Sequence, residues 1–192
     1  FCEGVTRLGC WAHARRRFVD ASKVLPAGKR GRAHEALALI GKLYAIERDA
    51  RELNDTERLA QRQSQSRTVI DELRRWLDQV LPTVPPTSVL GGALGYLHRQ
   101  WPRLIPYLAR GDLPIDNNPA ENAIRPFVVG RKAWLFSDTQ AGARASALIY
   151  SLVETAKANG MEPYLWLRNA LRALPTATTV EHFEALLPWN LK

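Results

Sequence analysis

Asp112-Leu113-Pro114-Ile115-Asp116-Asn117-Asn118-Pro119-Ala120-Glu121-Asn122-Ala123-Ile124-Arg125-Pro126-Phe127-Val128-Val129-Gly130-Arg131-Lys132-Ala133-Trp134-Leu135-Phe136 is the stretch around which the rest of the chain is read. Proline is favoured at the first position of a helix, where its missing N–H would have no partner in any case. Asn118 is therefore expected as the N-cap before Pro119, with Glu121 three residues on. Glu121 and Arg125 are four apart and share a face on such a helix. Gly130-Arg131-Lys132 reads as a compact basic turn. Val128-Val129 and Trp134-Leu135-Phe136 are short apolar runs, either strand-like or packed loop. The residues alone leave two roles for Glu121: closing a capping box on the Asn118 N–H, or acting as a functional carboxylate.

The net charge of +8 is carried entirely by residues 1–111, while residues 112–192 balance to zero. The densest basic segment is Arg7 to Arg32, with Arg15, Arg16 and Arg17 consecutive. A basic surface is the footprint of a polyanion partner, because each phosphate neutralised releases a counterion; a merely solubilising surface is the alternative. Apolar content of 46% is that of an ordinary globular protein. No apolar run reaches the roughly 18 residues of a membrane span, so no membrane partner is expected. Two cysteines do not make a disulfide framework, and a reducing cytoplasm is the default. Phe1-Cys2-Glu3-Gly4 has no signal-peptide pattern and reads as a cut through a longer chain.

Val5 to Cys10 alternates weakly and is expected as one short strand. A helix follows from Trp11 to Leu25, ended by Pro26-Ala27-Gly28. Cys10 and His13 have Cys-x-x-His spacing. A structural zinc site needs four ligands, though, and Cys2, His34, His98 and His182 are scattered, so none is expected. A half-buried histidine with a hydrogen bond is the ordinary fate of His13. Helical spacing runs through Ala36, Leu37, Ile40, Leu43 and Tyr44, then breaks at Asn54-Asp55. It resumes from Thr56 to Val80 through Val69, Ile70, Leu73 and Leu77, and the two helices should pack as a hairpin. Arg58 to Arg67 is almost wholly polar and should project into solvent or meet a partner. A third segment carries Leu90, Leu94, Leu97, Trp101, Leu104 and Leu108, with a kink or restart at Pro102.

Beyond the central stretch, Asp138 or Thr139 should cap a helix ending at Asn159-Gly160. Its expected buried face is Ala141, Ala145, Leu148, Ile149, Leu152, Val153 and Ala156. Glu154 on that helix is read as an ordinary partner for Lys157. Pro163 opens a further helix ended by Pro175, and Thr178 with Glu181 forms a capping box for a last short one.

The run Asp116 to Pro126, followed by Gly130-Arg131-Lys132 and Trp134-Leu135-Phe136, resembles the signature of bacterial insertion-sequence DDE transposases of the insertion-sequence sixty-six family. Gly9-Cys10-Trp11-Ala12-His13-Ala14-Arg15-Arg16-Arg17-Phe18 and Tyr150 to Gly160 resemble the same family, in the same order along the chain. Ala133 and Ser137 depart from its pattern, where Asn and a small Gly-like residue would be expected.

The resemblance implies a mainly α chain forming the C-terminal part of an RNase H-like catalytic domain, with one short strand retained and a helical insertion. Residues 1–25 would be the last sheet strand and basic helix of that core, 26–111 the helical insertion, 112–160 the Glu-bearing motif and core helix, and 161–192 a helical tail. Glu121 would be the catalytic, metal-holding third carboxylate of an Asp-Asp-Glu triad. Its two aspartates are absent from this chain and would lie upstream of Phe1. Mg²⁺ or Mn²⁺ would serve the complete enzyme, with none firmly expected on this portion alone. Arg125, Arg131 and Lys132 would meet DNA phosphates along with Arg15, Arg16 and Arg17, and His13, Asp116, Asn117 and Asn118 would support the active site.

The implied function is metal-dependent DNA strand cleavage and transfer at insertion-sequence ends. The partners would be transposon-end and target DNA and further copies in a homo-oligomer, in a bacterial cytoplasm and at the nucleoid when bound to DNA. With two triad members missing, this chain by itself is expected to be inactive. The alternative is a truncated remnant serving as a helical DNA-binding or oligomerisation module, and a helical scaffold with no nucleic-acid partner is a third reading.

Overall fold

The computed structural model describes residues 7–26, 28–134 and 137–190, with backbone only at 133 and 134. The chain divides into two compact units, Phe1–Pro119 and Ala120–Lys192.

The first unit is built from α1 (Trp11–Lys23), α2 (Arg32–Asp49), α3 (Asp55–Gln61), α4 (Arg67–Val80) and α5 (Val89–Leu104). α1 packs on both α2 and α5, and α2 packs on α4, so the expected α2–α4 pairing is present. The shared core holds Trp11, Phe18, Ile40, Leu43, Leu73, Leu77, Leu94, Leu97 and Leu104, all essentially inaccessible. These positions recur at three- and four-residue steps, and burying that apolar stripe is what stabilises each helix. Trp11 also donates its indole N–H to the Leu104 carbonyl at 3.0 Å, satisfying the one polar atom its burial would strand. α5 continues through Pro102 to Leu104, so there is no restart at the proline. Only one helical bond is lost there, close to the helix end.

Residues 7–10 of the expected strand Val5–Cys10 are extended coil; Val5 and Thr6 lie outside the described residues. The Gly9 N–H donates to the Arg103 carbonyl at 2.7 Å. Its partner is a helix end, and no strand exists among the described residues to make a ladder.

The polar run Arg58 to Arg67 faces solvent only in part: Gln63, Ser64, Gln65 and Arg67 are exposed, while Arg62 and Ser66 are buried. α3 opens on a capping box, in which Asn54 accepts the Glu57 N–H at 3.0 Å and donates its own N–H to the Glu57 carboxylate at 3.1 Å. A turn of π-helix, Arg62–Ser66, then joins α3 to α4, and it turns Arg62 and Ser66 inward, 1% and 0% exposed. Arg62 is bidentate on Glu47, Nε to Oε1 at 2.8 Å and Nη2 to Oε2 at 2.6 Å. Its Nη1 donates to the carbonyls of Tyr107 and Arg110. Burial is tolerable because each of the three guanidinium nitrogens finds an oxygen.

Arg58 gathers the same loop, donating to the carbonyls of Leu53 at 2.6 Å and Gly111 at 2.9 Å. A Cβ on Gly111 would lie 1.8 Å from the Asp55 carbonyl oxygen. Gly111→Ala must therefore push the loop away from α3, and we expect a loss of about 1–3 kcal/mol, read as an earlier urea midpoint. An unchanged midpoint would show that the loop yields freely.

The second unit contains the remainder of α6 (Asn118–Trp134), with α7 (Gln140–Ala158), α8 (Pro163–Ala173) and α9 (Val180–Ala185). Thr139 caps α7 by accepting the Gly142 N–H at 3.0 Å. At the other end Gly160 has φ +73°, and the Gly160 and Met161 N–H groups close back on the Lys157 and Ala156 carbonyls. The cap of α9 is Thr179, accepting the His182 N–H at 3.3 Å, rather than Thr178. Of the expected buried face of α7 only Ala156 is fully buried, while Leu148 and Ile149 are 63% and 51% exposed. The apolar spacing there is real, but no described residue of this unit covers the middle of that face. Glu154 pairs with Lys157 at 2.7 Å, which holds the lysine's proton more tightly.

Candidate functional site

The start of the central motif is held by the first unit. Ile115 is buried and its carbonyl accepts the Trp11 N–H at 3.3 Å, which seats the loop on the beginning of α1. The Asn117 N–H points at the Cys10 sulfur, 3.4 Å away. Asp116 then acts as a hub. Its carboxylate accepts the Tyr44 hydroxyl at 3.0 Å, the Asn118 backbone N–H at 3.0 Å and the Asn118 side-chain amide at 2.9 Å. The Tyr44 phenol is consequently harder to ionise, first because it is partly buried and then because Asp116 accepts its proton, with Arg15 acting in the opposite sense.

These bonds correct the expected cap. Asn118 is the first residue of α6 rather than its N-cap, and the oxygen meeting its N–H belongs to Asp116. An anionic acceptor already aligned by Tyr44 satisfies that N–H, and its charge suits a helix N-terminus.

Glu121 lies in the first turn of α6, half-buried, with exposed Arg125 one turn on. Val128, Val129, Gly130, Arg131 and Lys132 are all helical, so the expected basic turn is absent and both cations are exposed on the last turns of α6. Gly130 is not among the positive-φ glycines, which explains why no turn forms. Leu135 and Phe136 lie outside the described residues. On the neighbouring face of the helix, Phe127 meets Tyr150 of α7 edge to face, with ring centroids 5.1 Å apart.

The three consecutive arginines of α1 separate. Arg17 is turned onto the Tyr96 ring of α5, 4.3 Å from its centroid, a cation–π contact. Arg15 and Arg16 lie instead along a groove between α1 and α2, where Arg48 and Tyr44 of α2 and the motif residue Asn118 join them. Arg48 was not singled out by the sequence. It lies 32 positions from Arg16, and only the packing of α1 on α2 makes them neighbours. His13 sits half-buried in the first turn of α1.

A divalent cation of the magnesium type needs several hard oxygen ligands. Asp116, the other carboxylate of the motif core, is committed to Tyr44 and Asn118. Neither unit taken by itself gathers three carboxylate, histidine or cysteine ligands among its described residues. The described residues do not compose a metal site within either unit taken alone.

Comparison with known proteins identifies the family of this helical chain. Residues 2–145 match the family described as "Transposase IS66 family", and residues 151–189 match the "IS66 C-terminal element". The chain belongs to the IS66 transposase family. It is similar to three proteins of Sinorhizobium fredii (strain NBRC 101917 / NGR234), each described as uncharacterized. It is 33% identical to y4jD over 95% of this chain, 30% identical to y4hP over 98% and 31% identical to y4qI over 99%. The chain spans about a third of the length of these relatives, 35%, 36% and 35% respectively. No solved structure matches it. No helix among the described residues is long and apolar enough to cross a membrane.

Proposed function

We propose that this chain is the C-terminal portion of a DNA transposase that cuts and joins insertion-sequence ends. Glu121 supplies one of the carboxylates that hold the catalytic Mg²⁺ or Mn²⁺, in a complete protein whose other ligands lie on an RNase H-like core. The observation that supports this reading best is the family match running almost end to end through the Asp116–Pro126 motif, with Glu121 in the first turn of a continuous helix. Such ions, with Glu121 among the residues that would hold them, would supply charge stabilisation for an in-line displacement at phosphorus. Within this chain, Asp116 orients the start of α6 through Tyr44 and Asn118, and Arg125, Arg131 and Lys132 meet flanking phosphates. The complete protein acts as a homo-oligomer on two DNA ends. The deciding experiment is end joining by the complete protein, wild type against Glu121→Gln.

A second reading, that the chain taken alone binds duplex DNA without cutting it, is favoured by the arginines of α1. Arg15→Gln with Arg16→Gln should flatten the slope of log K against log salt by about two, roughly one for each phosphate no longer neutralised. Arg17→Gln should change the slope little, because that guanidinium is occupied by Tyr96. Equal effects from all three would mean that Arg17 leaves Tyr96 on binding. No retardation of labelled duplex at low salt would end this reading.

A further inference from the structure

Resting on the reading that this chain binds DNA, we propose that the groove between α1 and α2 seats a DNA backbone, with Arg48 as an additional phosphate ligand and Gly41 as the point of closest approach. The groove has two facing stripes. On α1 these are Ala12, Arg15, Arg16 and Val19, and on α2 they are Gly41, Tyr44 and Arg48, each at three- and four-residue steps that bring side chains onto one face.

Among the described residues, no carboxylate lines the groove. Four other arginines of this unit each meet a carboxylate among the described residues, Arg62 with Glu47, Arg58 with Asp55 at 3.0 Å, Arg110 with Asp112 at 2.6 Å and Arg74 with Asp78. Arg15, Arg16 and Arg48 are exposed and take part in no ion pair among the described residues. Three like charges kept side by side repel one another and are best relieved by an anion carrying several oxygens. A phosphodiester backbone presents these at repeating intervals, and guanidinium is the side chain shaped to meet them.

Gly41 supplies the independent observation. It is exposed in the middle of α2, where glycine is the poorest helix former after proline. A Cβ placed on it would have no protein atom within 4 Å, apart from its own helix's backbone and chain neighbours. Packing within the unit therefore does not require a glycine here. Its position on the wall of an arginine-lined groove matches the other use of glycine, which is to let something outside the chain come close to the backbone.

The test is the binding of a fluorescently labelled 20-base-pair duplex to this chain across a salt series, with melting temperature measured on each variant. Arg48→Gln should flatten the salt slope by about one, since one phosphate fewer is neutralised. Gly41→Gln adds a neutral plug and a better helix former, so it should raise the melting temperature while weakening binding several-fold at an unchanged slope.

An Arg48→Gln slope equal to wild type would overturn the groove, and so would a Gly41→Gln chain that is more stable yet binds normally. If Arg15→Gln and Arg16→Gln flatten the slope while both α2 variants behave as wild type, the groove fails and the DNA reading stands. If the wild-type chain binds no duplex even at low salt, both fail together.

Discussion

Glu121→Gln in the complete protein should reduce strand cleavage and end joining by several orders of magnitude while leaving the melting temperature essentially where it was. The substitution keeps the shape and a hydrogen-bond acceptor in the first turn of α6. If Glu121 served only as a local helix cap, the loss would be well under ~1 kcal/mol and joining would proceed almost normally. As a metal ligand it cannot be replaced by an amide, because a hard divalent ion is held by charged oxygen and the chemistry depends on that ion.

Asp116→Ala is the control in the opposite sense. It strips the acceptor from the Tyr44 hydroxyl and from two donors of Asn118, so stability should fall by about 1–3 kcal/mol through hydrogen bonds to a charged group. Any loss of joining should follow from misplacing the start of α6. Measured side by side, the two variants separate chemistry from scaffolding. A Glu121→Gln protein that joins ends at near wild-type rate would end the catalytic assignment.

Arg62→Met should destabilise the first unit by about 3–5 kcal/mol, the range for removing one partner of a buried ion pair. The size follows from what is left behind. Glu47, whose side chain is only 13% exposed, loses both of its guanidinium bonds, and the carbonyls of Tyr107 and Arg110 lose their shared donor. Arg62→Lys should recover only part of the loss, since an ammonium cannot serve Glu47 bidentately and two divergent carbonyls at once. The double variant Arg62→Met with Glu47→Leu should regain much of the stability, because burying two apolar groups leaves no orphaned charge on the glutamate side. Urea unfolding of the four proteins checks this. If Arg62→Met and the double variant share one lowered midpoint, the loss does not come from an orphaned Glu47 charge; if Arg62→Met unfolds at the wild-type midpoint, the burial of Arg62 is incidental to the fold.

The sequence by itself determined the elements whose causes are local. Apolar residues at helical steps marked α2, α4 and α5 through Ile40, Leu43, Leu73, Leu77, Leu94 and Leu97, and all six are core residues. Thr139 before Gln140, Pro163 at the start of α8 and Asn159-Gly160 at the end of α7 punctuate the chain as their chemistry requires. Family membership was likewise legible, since it rests on an ordered set of motifs.

The tertiary structure alone decided the fate of the polar and charged residues. A polar run around Arg62 reads as solvent-facing because its partners, Glu47 and the carbonyls near Tyr107, lie 15 and 45 positions away. Arg15, Arg16 and Arg17 look equivalent in sequence, yet one stacks on Tyr96 while two join Arg48 in a groove. Helical periodicity reports which way a side chain points from its own axis. Which oxygen, ring or second cation stands there depends on how helices distant in the chain pack together, and a local pattern does not encode that.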